Sequence, residues 1–168
     1  PGYIRIDMTT QQAEVVRLEK GIRYSTSDHF GRNIYRHLRF AYPTYMFDTP
    51  SFEIDESGHP YWIVPILDKT IGLFGGTDVI GAVVVDSIDG TSHVISTSTN
   101  GKTKLPTDSF VTDDEWQWID RIYSATILNE QYNYYGKLSH GFINSLIGQE
   151  GVKGTSSGYN YLALNDDV

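Results

Sequence analysis

The sequence predicts an α+β fold, and three features carry that reading. Residues 52–96 hold short apolar or alternating segments separated by two acidic turns, Asp55-Glu56-Ser57-Gly58 and Asp86-Ser87-Ile88-Asp89-Gly90. That is the pattern of an antiparallel meander. A helical apolar stripe, Phe30, Ile34, Leu38 and Ala41, precedes the meander, and a second capped helical segment follows it from Thr112. At 168 residues the chain is long enough to bury a core, as one domain or one and a half.

The chain opens on two alternating runs, Tyr3 to Met8 and Ala13 to Leu18, with Asp7-Met8-Thr9-Thr10-Gln11 between them. They read as a hairpin similar to the later Val85–Gly90 hairpin and its return strand. Residues 1–24 are therefore expected to be the end of a preceding unit or the edge of the first sheet. Ser27 is placed to cap a helix, because its hydroxyl can accept from the unpaired N–H groups of the first turn. Arg32, Arg36 and Arg39 recur at i, i+4 and i+7 on the face opposite the apolar stripe, and Pro43 ends the helix. Packing the stripe on the meander contributes roughly 1.5–3 kcal/mol per large side chain. The arginine stripe has two readings: a solvated face, or a contact for an anionic partner such as lipid headgroups or a wall polymer.

Within the meander, Phe52-Glu53-Ile54-Asp55 alternates as a strand with one wet face. Asp55 to Gly58 fits a type I turn, and Tyr61-Trp62-Ile63-Val64 returns. Pro65 has no N–H to donate and marks an edge, a bulge or the end of that strand. Val79 to Val85 is apolar on both faces, as a central strand is. Gly90 takes the left-handed position of the second turn, and His93-Val94-Ile95 returns. The connection from Asp68 to Asp78 is longer than a usual hairpin loop and holds Gly72, Gly75 and Gly76 around Leu73 and Phe74. That apolar pair is either a lid on the core or a tip that touches a partner.

Thr97 to Thr112 reads as a polar linker. Thr112 and Glu115 form a capping box for a helix carrying Trp116, Ile119 and Tyr123. Ser124 caps another helical stretch, whose stripe of Leu128, Tyr132, Tyr135, Phe142 and Leu146 runs to about Ile147. Gly136 and Gly141 weaken that stretch, and Gly148 is its C-cap. Ser156-Ser157-Gly158-Tyr159-Asn160-Tyr161-Leu162 then repeats serine, glycine and tyrosine of Glu56-Ser57-Gly58-His59-Pro60-Tyr61-Trp62 at an offset of 100. The order helix, turn, aromatic strand recurs with it, which predicts a tandem repeat whose second copy is cut off at Val168. The expected organisation is a hairpin over 1–24, a helix-plus-meander unit over 25–100, a linker over 101–112 and the start of a second unit over 113–168.

A net charge of −8 and a pI near 4.9 argue against nonspecific nucleic-acid binding. Cysteine is absent, so disulfides and thiolate metal sites are excluded. No run of 18 apolar residues occurs, and Pro1-Gly2-Tyr3-Ile4-Arg5 reads as the interior of a longer protein rather than a leader. There is no His-Glu-x-x-His, phosphate loop or nucleophile elbow, and Gly72 to Gly76 does not open a capped helix. Asp86, Asp89 and Gly90 lack the spacing of a calcium loop. His59, His93 and His140 are scattered, with nothing to put two on one face. Glu53 and Asp55 share a strand face but lack the cleft and partner that acid–base chemistry needs. No catalytic, metal-binding or cofactor-binding residue is assigned, and no cofactor is expected. Leu73, Phe74, Arg32, Arg36 and Arg39 are the candidate interaction residues.

The unit made by the helix, "FEIDESGHPYWIV" and "VVVDSIDGTSHVI" resembles the PepSY pattern over about residues 27–96: a cystatin-like helix followed by a meander closed by a Val-Asp-x-x-x-Gly hairpin. PepSY-like domains occur in extracytoplasmic bacterial proteins, some of them associated with protease inhibition or propeptides, and share no catalytic residues. Nearly the whole chain, through "YIRIDMTTQQAEVVRL", "HFGRNIYRHLRFAYPTYMFDTPSFEIDESGHPYWI", "IGLFGGTDVIGAVVV" and "YNYYGKLSHGFINS", is also similar to a family of Gram-positive, mostly Clostridia-like, membrane proteins with no established activity. Residues 97–112 are longer than that family's pattern. This resemblance implies an envelope location, a membrane segment outside these residues and a chain running on past Asp167.

Together these readings lead to the expectation of a non-enzymatic, extracytoplasmic interaction domain of a membrane-anchored protein. Its expected partners are an envelope protein or an anionic envelope polymer, and not nucleic acid. Unpaired strands of a half-built second unit would favour self-association. Two other classes stay open: a hydrolase whose site forms only in the full-length chain, and a structural spacer repeat.

Overall fold

A computed structural model describes residues 2–7, 9–70, 76–98, 103–140, 144 and 146–155. The fold is α+β: the described residues form two α-helices and seven antiparallel strands in two sheets. The chain divides into two compact units, residues 1–67 with 79–122, and residues 68–78 with 123–168.

In the first unit, β1 (Gly2–Ile6) and β2 (Ala13–Arg17) pair as a separate two-stranded ribbon, Gly2 opposite Arg17 and Ile6 opposite Ala13. Asp7 closes the turn by accepting from the backbone N–H groups of Thr9 and Thr10 at 2.8 and 2.9 Å. These bonds hold its carboxyl below the ordinary carboxylate value. Tyr3 anchors the ribbon by donating to the Gly58 carbonyl at 3.2 Å.

The main sheet holds β3 (Met46–Phe47), β4 (Ser51–Ile54), β5 (Pro60–Lys69), β6 (Thr77–Asp86) and β7 (Ser92–Ser96), in the order β3-β5-β6-β7 with β4 also on β5. Both predicted turns form. The Asp55 carbonyl accepts from Gly58 N–H at 2.9 Å, and that of Asp86 from Gly90 N–H at 3.0 Å. Gly58 and Gly90 take φ of +86° and +85°. Gly90 has a second reason to be glycine: a Cβ there would lie 2.5 Å from the Tyr24 ring. As expected, β6 is central and almost wholly buried.

Three local expectations are corrected and one is narrowed. Pro65 sits buried within β5 at a bulge, one of the three readings: the register shifts by one residue across it, Ser51 opposite Ile63 but Phe47 opposite Ile66. The partner strand is broken there: β4 covers Pro60 to Ile63, β3 covers Ile66 and Leu67, and no N–H is required between them. Ser27 does not cap the first helix. A 3₁₀ turn over Phe30–Arg32 intervenes, and α1 (Ile34–Ala41) is capped by Asn33, whose side chain accepts from Arg36 N–H at 3.2 Å. Residues 103–111 do not hang as a linker. Ser96 and Val111 N–H groups bond to Ser109 and Ser96 carbonyls at 2.9 Å each, and Leu105 enters the core. Finally, the Thr112 capping box starts only a 3₁₀ turn, Asp114–Trp116, because Asp113 turns back to accept from Phe110 N–H.

The core lies between α1 and one face of the sheet. Ile34 and Leu38 pack with Val64, Ile66, Val83, Val85 and Leu105. Phe30 and Ala41, the other members of the expected stripe, are exposed, since α1 begins only at Ile34. Period-two alternation turns Tyr61, Ile63, Val84 and His93 to the opposite face of the sheet.

In the second unit, α2 (Ala125–Leu138) starts at Ser124, which accepts from Ile127 N–H at 3.3 Å as expected. The expected stripe faces outward: Leu128, Tyr132 and Tyr135 are exposed, and Ile127 and Gly136 are the buried positions. Gly136 is a close approach, where a Cβ would meet the Lys153 carbonyl oxygen at 2.3 Å. Gly148, at φ +93°, follows a helical turn as its predicted cap role requires. Gly141, Phe142 and the predicted second-copy strand at 156–168 lie outside the described residues. No helix among the described residues is long and apolar enough to cross a membrane.

Candidate functional site

The two acidic turns meet at one end of the sheet: the Gly90 carbonyl oxygen bonds to His37 of α1 at 2.8 Å, while Asp55 and Asp86 border the opposite face with Tyr61 and His93. Asp55 opens the first turn, and its Oδ1 accepts from Ser57 N–H, the Ser57 hydroxyl and His59 N–H at 2.9, 2.7 and 2.8 Å. Burial alone would raise this carboxyl, but those bonds hold it below its ordinary value. Asp86 ends β6, and its Oδ1 accepts from Ile88 and Asp89 N–H at 2.6 and 3.2 Å. Its Oδ2 lies 2.8 Å from His59 Nε2, tying the two turns together.

Residues 113–118 bring Glu115, Trp116 and Trp118 to the same place. Trp118 stacks at a tilt on Tyr61, with ring centroids 5.0 Å apart, and Trp116 lies 6.0 Å from the His93 ring. Glu53 fixes the far end of this segment by accepting from Asp120 and Arg121 N–H at 3.0 and 3.2 Å. Burial pushes the Glu53 carboxyl above its ordinary value despite those bonds. The result is a cleft of about 280 Å³ bounded by carboxylates Asp55, Asp86 and Glu115 and by rings Tyr61, Trp116 and Trp118. Thr91 and His93 complete its lining. Burial, then the negative charges of Asp55, Asp86, Asp89 and Glu115, raise the Tyr61 hydroxyl above the ordinary tyrosine value.

The sequence offered no reason to bring histidines together. The structure corrects this, since His93 lines the cleft and His59 bonds to its Asp86. The spacing His59-x-Tyr61 puts both on one strand face, but only the β6–β7 register, Val84 opposite His93, brings in the third residue. Asp86 and Asp89 act as turn acceptors, and among the described residues no cluster of three or more His, Asp or Glu has the geometry to hold a metal.

The predicted interaction residues lie elsewhere. Leu73 and Phe74 fall outside the described residues. Arg36 and Arg39 share an exposed face of α1, while Arg32 is exposed on the preceding 3₁₀ turn and so leaves the helical register. The Arg36 guanidinium sits 5.9 Å from the Phe40 ring centroid and that of Arg39 5.7 Å from Phe47. Arg39 also donates to the Tyr45 carbonyl at 3.0 Å. Phe30 and Phe40 are each 79% exposed, and Phe30 holds a φ of +53°, which a bulky residue rarely adopts. The chain matches no protein-family model, no curated protein and no solved structure.

Proposed function

We propose that this chain is a non-enzymatic interaction domain, built of PepSY-like repeats, on the extracytoplasmic face of a membrane-anchored protein, and that α1 carries its contact for an anionic envelope polymer. The envelope location follows from the sequence resemblance. The observation that carries the contact is the joint exposure of Arg32, Arg36 and Arg39 beside Phe30, Tyr35 and Phe40. No carboxylate lies within ion-pair distance of these arginines among the described residues. Arginine and aromatic side chains are the types that dominate binding energy at interfaces. Rings beneath two of the guanidiniums steady them, which lowers the entropy lost when they engage phosphate bidentately. The surrounding protein is acidic, so one basic face selects the orientation of approach.

The test is titration with poly(glycerol phosphate), with the R32A/R36A/R39A variant beside the parent. The triple variant is expected to bind about tenfold more weakly or worse, and added salt to weaken the parent. Equal binding by both would refute the assignment. Retention by anionic lipid vesicles with none by the polymer would move the contact to a membrane surface.

The His59–Asp86 contact in a cleft with Glu115 and His93 favours a second reading, a hydrolytic site, because an imidazole oriented by a carboxylate is the usual general base. Turnover of an ester or glycoside panel that disappears in His59→Ala would establish it in place of the binding reading.

A further inference from the structure

We propose that the cleft between the two acidic turns and the Trp116–Trp118 segment binds a small organic ammonium cation. This site is on the opposite side of the sheet from α1 and stands independently of the polymer contact.

Two observations converge. First, the lining is anionic and aromatic together. Asp55, Asp86 and Glu115 supply three carboxylates, Tyr61, Trp116 and Trp118 supply three rings, and no lysine or arginine is among the lining residues. Ring faces and carboxylates both attract a weakly hydrated cation, and desolvation in a cleft strengthens that attraction. Second, two of the three carboxylates retain capacity, while Asp86 is engaged by the turn and by His59. Among the described residues, all side-chain bonds to Asp55 converge on Oδ1, leaving Oδ2 without one, and Glu115 accepts none. The negative charges that, after burial, raise the Tyr61 hydroxyl act on any cation entering. At about 280 Å³ the cleft falls just below the volumes that hold drug-sized ligands, so it suits a headgroup or a single side chain.

The rings also provide the readout. The indole of Trp62 is committed elsewhere, donating to the Tyr24 carbonyl at 2.8 Å on the α1 side, and serves as an internal control. The experiment follows the three indole N–H resonances by NMR as choline is added, and repeats the titration with its neutral tert-butyl isostere, with lysine amide and with methyl glucoside. Saturable shifts of the Trp116 and Trp118 resonances are expected with choline while Trp62 stays put. The isostere should bind about tenfold more weakly, the loss of one cation–π and carboxylate attraction. Binding of lysine amide as well would widen the ligand to peptide side chains and still support the cation class. Glu115→Gln, at an exposed position with no hydrogen bond to lose, should weaken choline several-fold with an unchanged melting temperature. Equal affinity for choline and its isostere, binding of methyl glucoside alone, or no movement of Trp116 and Trp118 with any probe would overturn the proposal.

Discussion

Replacing Leu38 with alanine tests the packing of α1 most sharply, because the two faces of this helix predict opposite outcomes. Leu38 is fully buried among Ile34, Val64, Ile66, Val83, Val85 and Leu105. Its truncation removes the apolar area and leaves a cavity that helix and sheet close only in part. Losses at such sites run about 2–5 kcal/mol. With a urea dependence of about 2 kcal/mol per molar, the unfolding midpoint should fall by roughly 1–2.5 M while the slope is unchanged. Phe40, on the same helix and larger, is 79% exposed, and Phe40→Ala should stay within about 0.5 kcal/mol of the parent. All three tryptophans belong to the first unit, so their fluorescence follows that unit's transition directly. Comparable losses for the two variants would mean that α1 is rotated from the placement described, and the reasoning about its exposed face would fall with it.

Other outcomes follow from single contacts. Gly90→Ala should destabilise by at least about 2 kcal/mol in the same assay, since it adds strain at positive φ to a clash with Tyr24. Phe30→Gly should leave stability within about 1 kcal/mol or raise it, because it relieves a left-handed backbone at an exposed side chain. The raised carboxyl of Glu53 contributes stability that is fully present at acid pH and lost as the pH rises through its folded value. Glu53→Gln should therefore flatten the pH dependence of stability just above the ordinary glutamate range. Asp55 has the opposite sign: its contribution is present at neutral pH and lost as the pH falls through its lowered folded value, so Asp55→Asn should cost stability at pH 7 and little in strong acid.

Much of the meander was legible because its signals are local. Asp and Gly at fixed places in two turns specify the hairpins, and an apolar run specifies a central strand, whatever surrounds them. The start of α1 was not legible in the same way. Five capping-competent residues, Ser25, Thr26, Ser27, Asp28 and Asn33, stand in a short stretch, and the 3₁₀ turn that selects Asn33 requires the unusual backbone at Phe30. Pro65 announced an irregularity but not which of edge, bulge or strand end it was, because that depends on a break in the neighbouring strand, which Pro65 itself does not encode. The cleft was invisible for a related reason. Tyr61 and Trp118 stack across 57 intervening steps of chain, and the segment that carries Trp118 looked locally like a linker followed by a capped helix. The arginine stripe was read from periodicity alone, and the register that the periodicity assumed holds only for Arg36 and Arg39.

Chemical-shift mapping of the ¹⁵N-labelled chain during titration with poly(glycerol phosphate) tests the central claim most directly. The account predicts saturable, salt-sensitive shifts confined to Phe30 through Ala41 and the neighbouring Tyr45–Phe47, with the cleft resonances of Tyr61, His93 and Trp118 unmoved. Shifts centred on the cleft, or none up to saturating polymer, would contradict it.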